Sequence, residues 1–201
     1  MKQDSIFFIV SDDYIDYLLR IENHVMKNKP EERTYHRKYV GILTEINGFK
    51  YFVPMSSPKN KDYKNGKIRK NSLTTIYMKS KCKLYGTLRF NCMIPVPESE
   101  LLEYRINDEG DFNYRMLMLS EYNFCKENRE KIEKTAKNLY AKKCSCDDNL
   151  FPLGKIVVDF KKVEKACINY KKWFFLCEIL VFKLKKNIPT PPGKYSYYIF
   201  K

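Results

Sequence analysis

Two adjacent serines, Ser56 and Ser57, stand directly before Pro58 and Lys59, and a basic pair, Arg37-Lys38, lies upstream of them. Hydroxyls, an amine and a guanidinium suit one reaction well. RNA carries its own nucleophile, the 2′-OH, so cutting it needs only a proton acceptor, a proton donor and positive charge on the phosphate. Ser-Ser-Pro-Lys is equally an ordinary exposed turn in which Pro fixes φ. Of the two histidines, His24 reads as a surface residue late in a helix. His36 sits within Thr34-Tyr35-His36-Arg37-Lys38, either as an acid–base group or as a loop residue in a basic cluster.

Other chemistries find less support. The carboxylates Asp12, Asp13, Glu31, Glu32, Asp108, Glu109 and Asp111 fall at expected helix starts and connectors. None is framed as the convergent set that a metal-dependent nuclease needs, so no metal or other cofactor is expected. No Ser-His-Asp order, nucleophile elbow or phosphate-cradling glycine loop occurs. Seven cysteines, with Cys144-Ser145-Cys146 too close for a zinc knuckle, point to reduced thiols; Cys125, Cys167 and Cys177 lie in apolar patterns as small core residues.

The charge balance points to a polyanionic partner. Lys+Arg number 38 against 24 Asp+Glu, a net charge of +14, and such a field attracts nucleic acid with an affinity that falls as salt rises. The excess is concentrated between Lys59 and Arg89, where Lys59, Lys61, Lys64, Lys79, Lys81, Lys83 and Arg89 stand among other basic residues and Asp62 is the sole acid. With Tyr77 and Tyr85 in the same stretch, a non-catalytic RNA- or DNA-binding module is the rival reading. A lysine-rich surface without a partner is the bland one. No run approaches the roughly 20 apolar residues of a bilayer span, and no export signal is seen, so a cytoplasmic protein with no membrane association is expected.

The elements that must position these residues follow from local pattern. Ile6–Val10 reads as a strand, and Ser11 as the N-cap of a helix with Asp12 and Asp13 in its first turn and apolar spacing through Val25. Tyr39–Leu43 and Lys50–Pro54 bracket Asn47-Gly48, a strong hairpin signal. Pro54 is expected to end the second strand and release Ser56–Lys59 as a loop. Leu73–Met78, Lys83–Leu88 and Phe90–Pro97 read as further strands, and Glu98–Asp111 as an acidic connector. A helical period runs from Tyr114 to Tyr140 with a break near Asn128, and Asp159 opens a last helix carrying Val163, Cys167, Tyr170 and Phe174. With no repeat and no internal linker, one α+β domain over residues 1–201 is expected.

Several of these segments resemble the ToxN/AbiQ family of type III toxin–antitoxin endoribonucleases. The family's "YVGI…G.KYFAPL(S/T)SPK" stretch is similar to Tyr39–Leu43 followed by Gly48–Lys59. Its "S..YI.YL" helix is similar to Ser11–Leu18, its "FMIP" strand to Asn91–Val96, and its "FI..N...I..KA..LY" helix to Tyr114–Tyr140. The matches run in order from about residue 5 to about residue 177 and leave 178–201 as an extension they do not cover.

The resemblance implies a twisted antiparallel sheet, partly barrel-like as in type II ribonuclease toxins, flanked by helices. It implies metal-independent cutting of cellular or phage RNA to 2′,3′-cyclic phosphate and 5′-OH ends, and abortive infection as a possible role. It also implies processing of, and inhibition by, a small repeat RNA antitoxin with a pseudoknotted unit, in a protein–RNA hetero-oligomer. Carried over, the family's helix tyrosine falls on Tyr14, its upstream tyrosine on Tyr35, and its loop on Ser56, Ser57, Pro58 and Lys59. Its basic residue falls on Arg37 by distance from Gly41, with Lys38 a close competitor. Glu121 stands where the family's pattern leads one to expect Gln.

Overall fold

The computed structural model describes residues 6–28, 31, 34–41, 45–81, 83–145 and 154–170. Residues 1–167 form one compact unit, which holds the features below apart from the last three residues of the final helix, and 168–201 are a second. Phe174, Cys177 and the extension after Glu178 lie outside the described residues, as do Cys82 and Cys146.

The first described strand, β1 (Phe7–Val10), turns at Ser11 into α1 (Asp12–Leu19), whose third N–H, on Tyr14, donates to the Ser11 hydroxyl at 3.2 Å. This is the expected cap, with Asp12 and Asp13 facing the positive end of the helix. The helix is shorter than the apolar spacing suggests. It closes at Arg20, and Val25 reaches the core from the turn region beyond it.

Next, β2 (Tyr39–Gly41) pairs antiparallel with β3 (Tyr51–Ser56), Val40 opposite Val53. Asn47 and Gly48 make the turn with φ of 52° and 75°, and Ile46 and Phe49 exchange two 3.0 Å hydrogen bonds across it. Both turn residues thus take the left-handed region that Asn-Gly tolerates. Pro54, however, does not end β3. The neighbouring Met55 N–H donates to Lys38 O on the β2 side at 2.9 Å, so the N–H that Pro54 lacks would point the other way. On that side β3 changes partner, from β8 (Ile94–Pro95) opposite Tyr51 and Phe52 to β7 (Leu84–Arg89) opposite Met55 and Ser56. No ladder bond is required of Pro54, and the strand carries on through Ser56.

The basic stretch begins with a 3-10 turn, Asn60–Asp62, and a small ribbon of β4 (Tyr63–Lys64) and β5 (Lys67–Ile68). Asn65-Gly66 turns this ribbon in the conformation used by Asn47-Gly48, with φ of 52° and 70°. Then β6 (Thr75–Lys79), one of the expected further strands, pairs antiparallel with β7. Phe90–Pro97 is not one strand: a 3-10 turn, Phe90–Cys92, precedes the two-residue β8, because Pro95 and Pro97 offer no N–H for a longer ladder. The acidic connector also holds more than expected. It contains β9 (Leu101–Glu103), which pairs with β1 at the sheet edge. The sheet runs in the order β6-β7-β3-β2-β1-β9 with β8 added to β3; among the described residues it is antiparallel throughout and does not close into a barrel.

Asp111 caps α2 (Phe112–Glu127), accepting the Tyr114 N–H at 2.9 Å. Asn128, with φ −106° and ψ 19°, breaks the long helical pattern where expected, and α3 (Arg129–Ser145) follows. Each helix buries one stripe: Met118, Glu121 and Cys125 on α2, and Ile132, Ala136 and Leu139 on α3. These spacings of three and four are those of a single helix face. A final helix, α4 (160–170), starts behind Asp159, whose carboxylate accepts the Lys162 N–H at 3.1 Å. Buried Glu164 on α4 ties the packing together, accepting from Tyr51 Oη at 3.0 Å, Tyr140 Oη at 2.8 Å and Asn47 Nδ2 at 2.9 Å. Among the described residues no helix is long and apolar enough to cross a membrane.

Candidate active site

The end of β3 and the lead-in to β2 lie side by side, because Tyr39 is in register with Pro54. That pairing brings Ser56 and Ser57 next to Arg37 and Lys38. The central stretch of α2 covers the adjoining β7, and an open pocket of about 220 Å³ remains between them. It is lined by Thr34–Lys38, Met55–Pro58, Tyr85, Tyr114, Leu117, Met118 and Glu121. Ser56 is buried and fixed, since it pairs with Thr87, whose hydroxyl donates to the Ser56 carbonyl at 3.2 Å. Ser57 is the first residue beyond the ladder and is exposed.

Arg37 and Lys38 are both buried and both line the pocket, but their heads do different things. The Arg37 guanidinium donates to Met55 O at 2.7 Å and Lys27 O at 3.1 Å, and so anchors the backbone just before Ser56. The Lys38 amine donates to His36 O at 2.9 Å and lies 4.2 Å from the centre of the Tyr104 ring and 5.4 Å from that of Tyr114. Burial lowers its pKa to about 8, opposed by the carboxylates of Glu109 and Glu121. An amine there exchanges its proton near neutrality, which a guanidinium does not. Tyr35 stacks on Tyr114 with ring centres 3.7 Å apart and donates to Asp111 at 2.6 Å, giving the pocket an aromatic wall.

The loop after Ser57 is held from outside the pocket. Buried Asp62 accepts the Lys59 N–H at 2.8 Å with one carboxylate oxygen and the Arg89 guanidinium at 2.7 Å with the other. The arrangement therefore offers two hydroxyls, an amine and a fixed guanidinium around one open pocket. Among the described residues no three His, Cys, Asp or Glu side chains are grouped so as to hold a metal ion.

The sequence profile described as "Toxin ToxN, type III toxin–antitoxin system" matches residues 6–168. The chain belongs to the ToxN family. It is 36% identical over 178 residues to the endoribonuclease ToxN of Bacillus thuringiensis subsp. kurstaki, a match that covers 85% of this chain and 87% of that one. It is 30% identical over 175 residues to the endoribonuclease AbiQ of Lactococcus lactis subsp. lactis, covering 83% and 89%. Among solved structures, a toxin from work on selective toxin inhibition by a non-coding RNA pseudoknot superposes with a TM-score of 0.71 at 34% identity, covering 82% of this chain and 96% of that one. The structure of AbiQ, a lactococcal anti-phage endoribonuclease, superposes with a TM-score of 0.69 at 28% identity, covering 83% and 97%.

In this ToxN-family chain the residues expected from sequence do not all meet at the pocket. Ser56, Ser57, Arg37, Lys38, Tyr35 and His36 line it. Tyr14 does not. It is fully buried, with its hydroxyl donating to Pro95 O at 2.8 Å, and burial raises its pKa far above the ordinary phenol value. Its hydroxyl fastens α1 to β8. Tyr14→Phe is accordingly expected to cost about 1 kcal/mol in urea unfolding and to leave the chemistry in the pocket intact. Lys59, Lys61 and Lys64 are exposed on the loop and ribbon beyond Ser57. Lys79, Lys81 and Lys83 surround the β6–β7 turn, close beyond Tyr85 at the pocket. Arg89 is apart from both groups, largely buried and committed to Asp62. Of the other lining residues, Tyr85 entered from sequence only through the rival binding-module reading and Glu121 only as a departure from the family's helix pattern, while Tyr114 was not picked out as functional.

Proposed function

We propose that the chain is an endoribonuclease toxin of a type III toxin–antitoxin system, working in the cytoplasm on cellular or phage RNA and held in check by its own repeat RNA antitoxin. The observation that carries this is the convergence of Ser56 and Ser57 with Arg37 and Lys38 around one pocket beside a strongly basic ribbon and turn. The scissile phosphate sits at Ser57, with Ser56 fixing the backbone beneath it. The 2′-hydroxyl gives its proton to solvent in the open pocket as its oxygen attacks phosphorus, the bond to the 5′-oxygen breaks, and a 2′,3′-cyclic phosphate and a 5′-OH result. Lys38 places positive charge on the phosphate and gives the departing 5′-oxygen a proton, while Arg37 holds Met55 and thereby Ser56 in place. The Tyr35–Tyr114 wall offers a surface on which a base can stack, and the lysines at 59, 61, 64, 79, 81 and 83 hold the flanking phosphates. The same surface takes the pseudoknotted unit of the antitoxin RNA in a protein–RNA hetero-oligomer.

The test is to incubate purified protein with its repeat RNA in excess EDTA and map the ends. Cyclic-phosphate and 5′-OH termini support the reading; RNA that stays intact while bound supports a non-catalytic module. Ser57→Ala should lower the cleavage rate by at least about 100-fold, as loss of one donor aimed at transition-state charge does. Growth arrest should disappear while RNA affinity persists. Arrest that survives Ser57→Ala would remove Ser57 from the centre of the mechanism.

A further inference from the structure

The pocket contains a buried acid that the mechanism above does not use. Glu121 on α2 is only 4% exposed. Its Oε1 atom rests on Gly86 of β7 so closely that a side-chain Cβ at that glycine would overlap it. Its Oε2 atom has no hydrogen-bond partner among the described residues. A buried carboxyl left in this condition is costly to ionise unless a cation shares its surroundings. One does: Lys38 lines the same pocket, and each group acts electrostatically on the other.

We propose that Glu121 is a positioning residue for the cleavage reaction, holding the Lys38 amine in its charged form through its buried carboxyl; this rests on the ribonuclease reading of the pocket. Gly86 is part of the device, because only a residue without a Cβ lets the helix bring the carboxyl down onto β7. Burial raises Glu121 to about 8, opposed by Lys38, and lowers Lys38 to about 8, opposed by Glu109 and Glu121. The two therefore titrate as a coupled pair. Wherever Glu121 is ionised, its carboxylate favours the proton on Lys38. Among the described residues, the other titratable groups around the pair are Tyr114 and Cys125 from α2, Tyr35, His36 and Arg37 from the lead-in to β2, Tyr104 and Glu109 from the connector, and Tyr85 from β7. Among these, Glu109 also favours the charged amine, so removing Glu121 weakens the hold on the proton without abolishing it.

Glu121→Gln keeps the shape and removes the ionisable group. The amine of Lys38 should then lose its proton at a pH about one unit lower, followed by NMR of protein labelled at the lysine Cε and assigned with Lys38→Arg. The alkaline limb of the cleavage profile should move down by the same amount. Glu121→Asp, which keeps a carboxyl, should restore much of the shift. A Lys38 midpoint identical in wild type and Glu121→Gln overturns the proposal, whether or not RNA is cut. If wild type cuts no RNA, the ribonuclease reading fails, and the titration still decides whether Glu121 controls Lys38. Should Glu121→Gln not fold, Gly86→Ala, which displaces the carboxyl from its seat, takes its place in both measurements.

Discussion

Lys38→Met is expected to slow single-turnover cleavage of the repeat RNA by about 10²- to 10⁴-fold, the range for loss of a positioned proton donor that also stabilises transition-state charge. Methionine keeps the length and packing of the lysine stem against Tyr104 and Tyr114, so circular dichroism and unfolding should change little. Lys38→Arg separates the two contributions. A guanidinium keeps the charge but holds its proton at every working pH, so this variant should recover part of the rate and lose the alkaline limb of the profile. Arg37→Ala should behave differently. Its head holds the carbonyls of Met55 and Lys27, so its loss acts through the position of Ser56, and the shape of the pH profile should survive. A Lys38→Met enzyme that retains a tenth or more of the wild-type rate would shift the chemistry to Arg37.

The different contacts of the two heads could not be taken from the sequence, where Arg37 and Lys38 are adjacent basic residues and the family resemblance, counted from Gly41, favoured Arg37 with Lys38 a close competitor. The hairpin was legible because Asn47-Gly48 demands a conformation few residue pairs tolerate, and the caps at Ser11 and Asp159 because each is a local rule met within one turn. The helix break at Asn128 is local in the same way. Pro54 misled because its effect depends on which side of β3 has a partner at that point, and that is set by β7 and β8 far along the chain. β9 was hidden for a similar reason: Leu101–Glu103 has no strand pattern of its own and is recruited by the open edge of β1. Tyr14 sits at the right place in its motif, yet its hydroxyl is consumed by Pro95. Asn65-Gly66, by contrast, was as readable as Asn47-Gly48, and the short runs on either side concealed it.

Asp62 shows how a sole acid in a basic stretch can act. Asp62→Ala is expected to destabilise the protein by about 3–5 kcal/mol, as removing one partner of a buried ion pair does, and to lower Tm by on the order of 10 °C. The carboxylate is 1% exposed and the Arg89 side chain 12%, so the cation left behind cannot simply turn to water. The loss also frees the Lys59 N–H, and with it the loop that carries Ser57, so cleavage measured well below the new Tm should fall as well. Arg89→Met tests whether this arginine also grips RNA. If its work is to hold Asp62, the variant costs stability and leaves the slope of RNA affinity against salt unchanged. If it neutralises a phosphate, the slope becomes shallower by about one unit. The double variant Asp62→Leu/Arg89→Met removes both charges together and should be more stable than either single one. It should still cleave poorly, because an apolar pair cannot accept the Lys59 N–H that keeps the loop closed on the pocket.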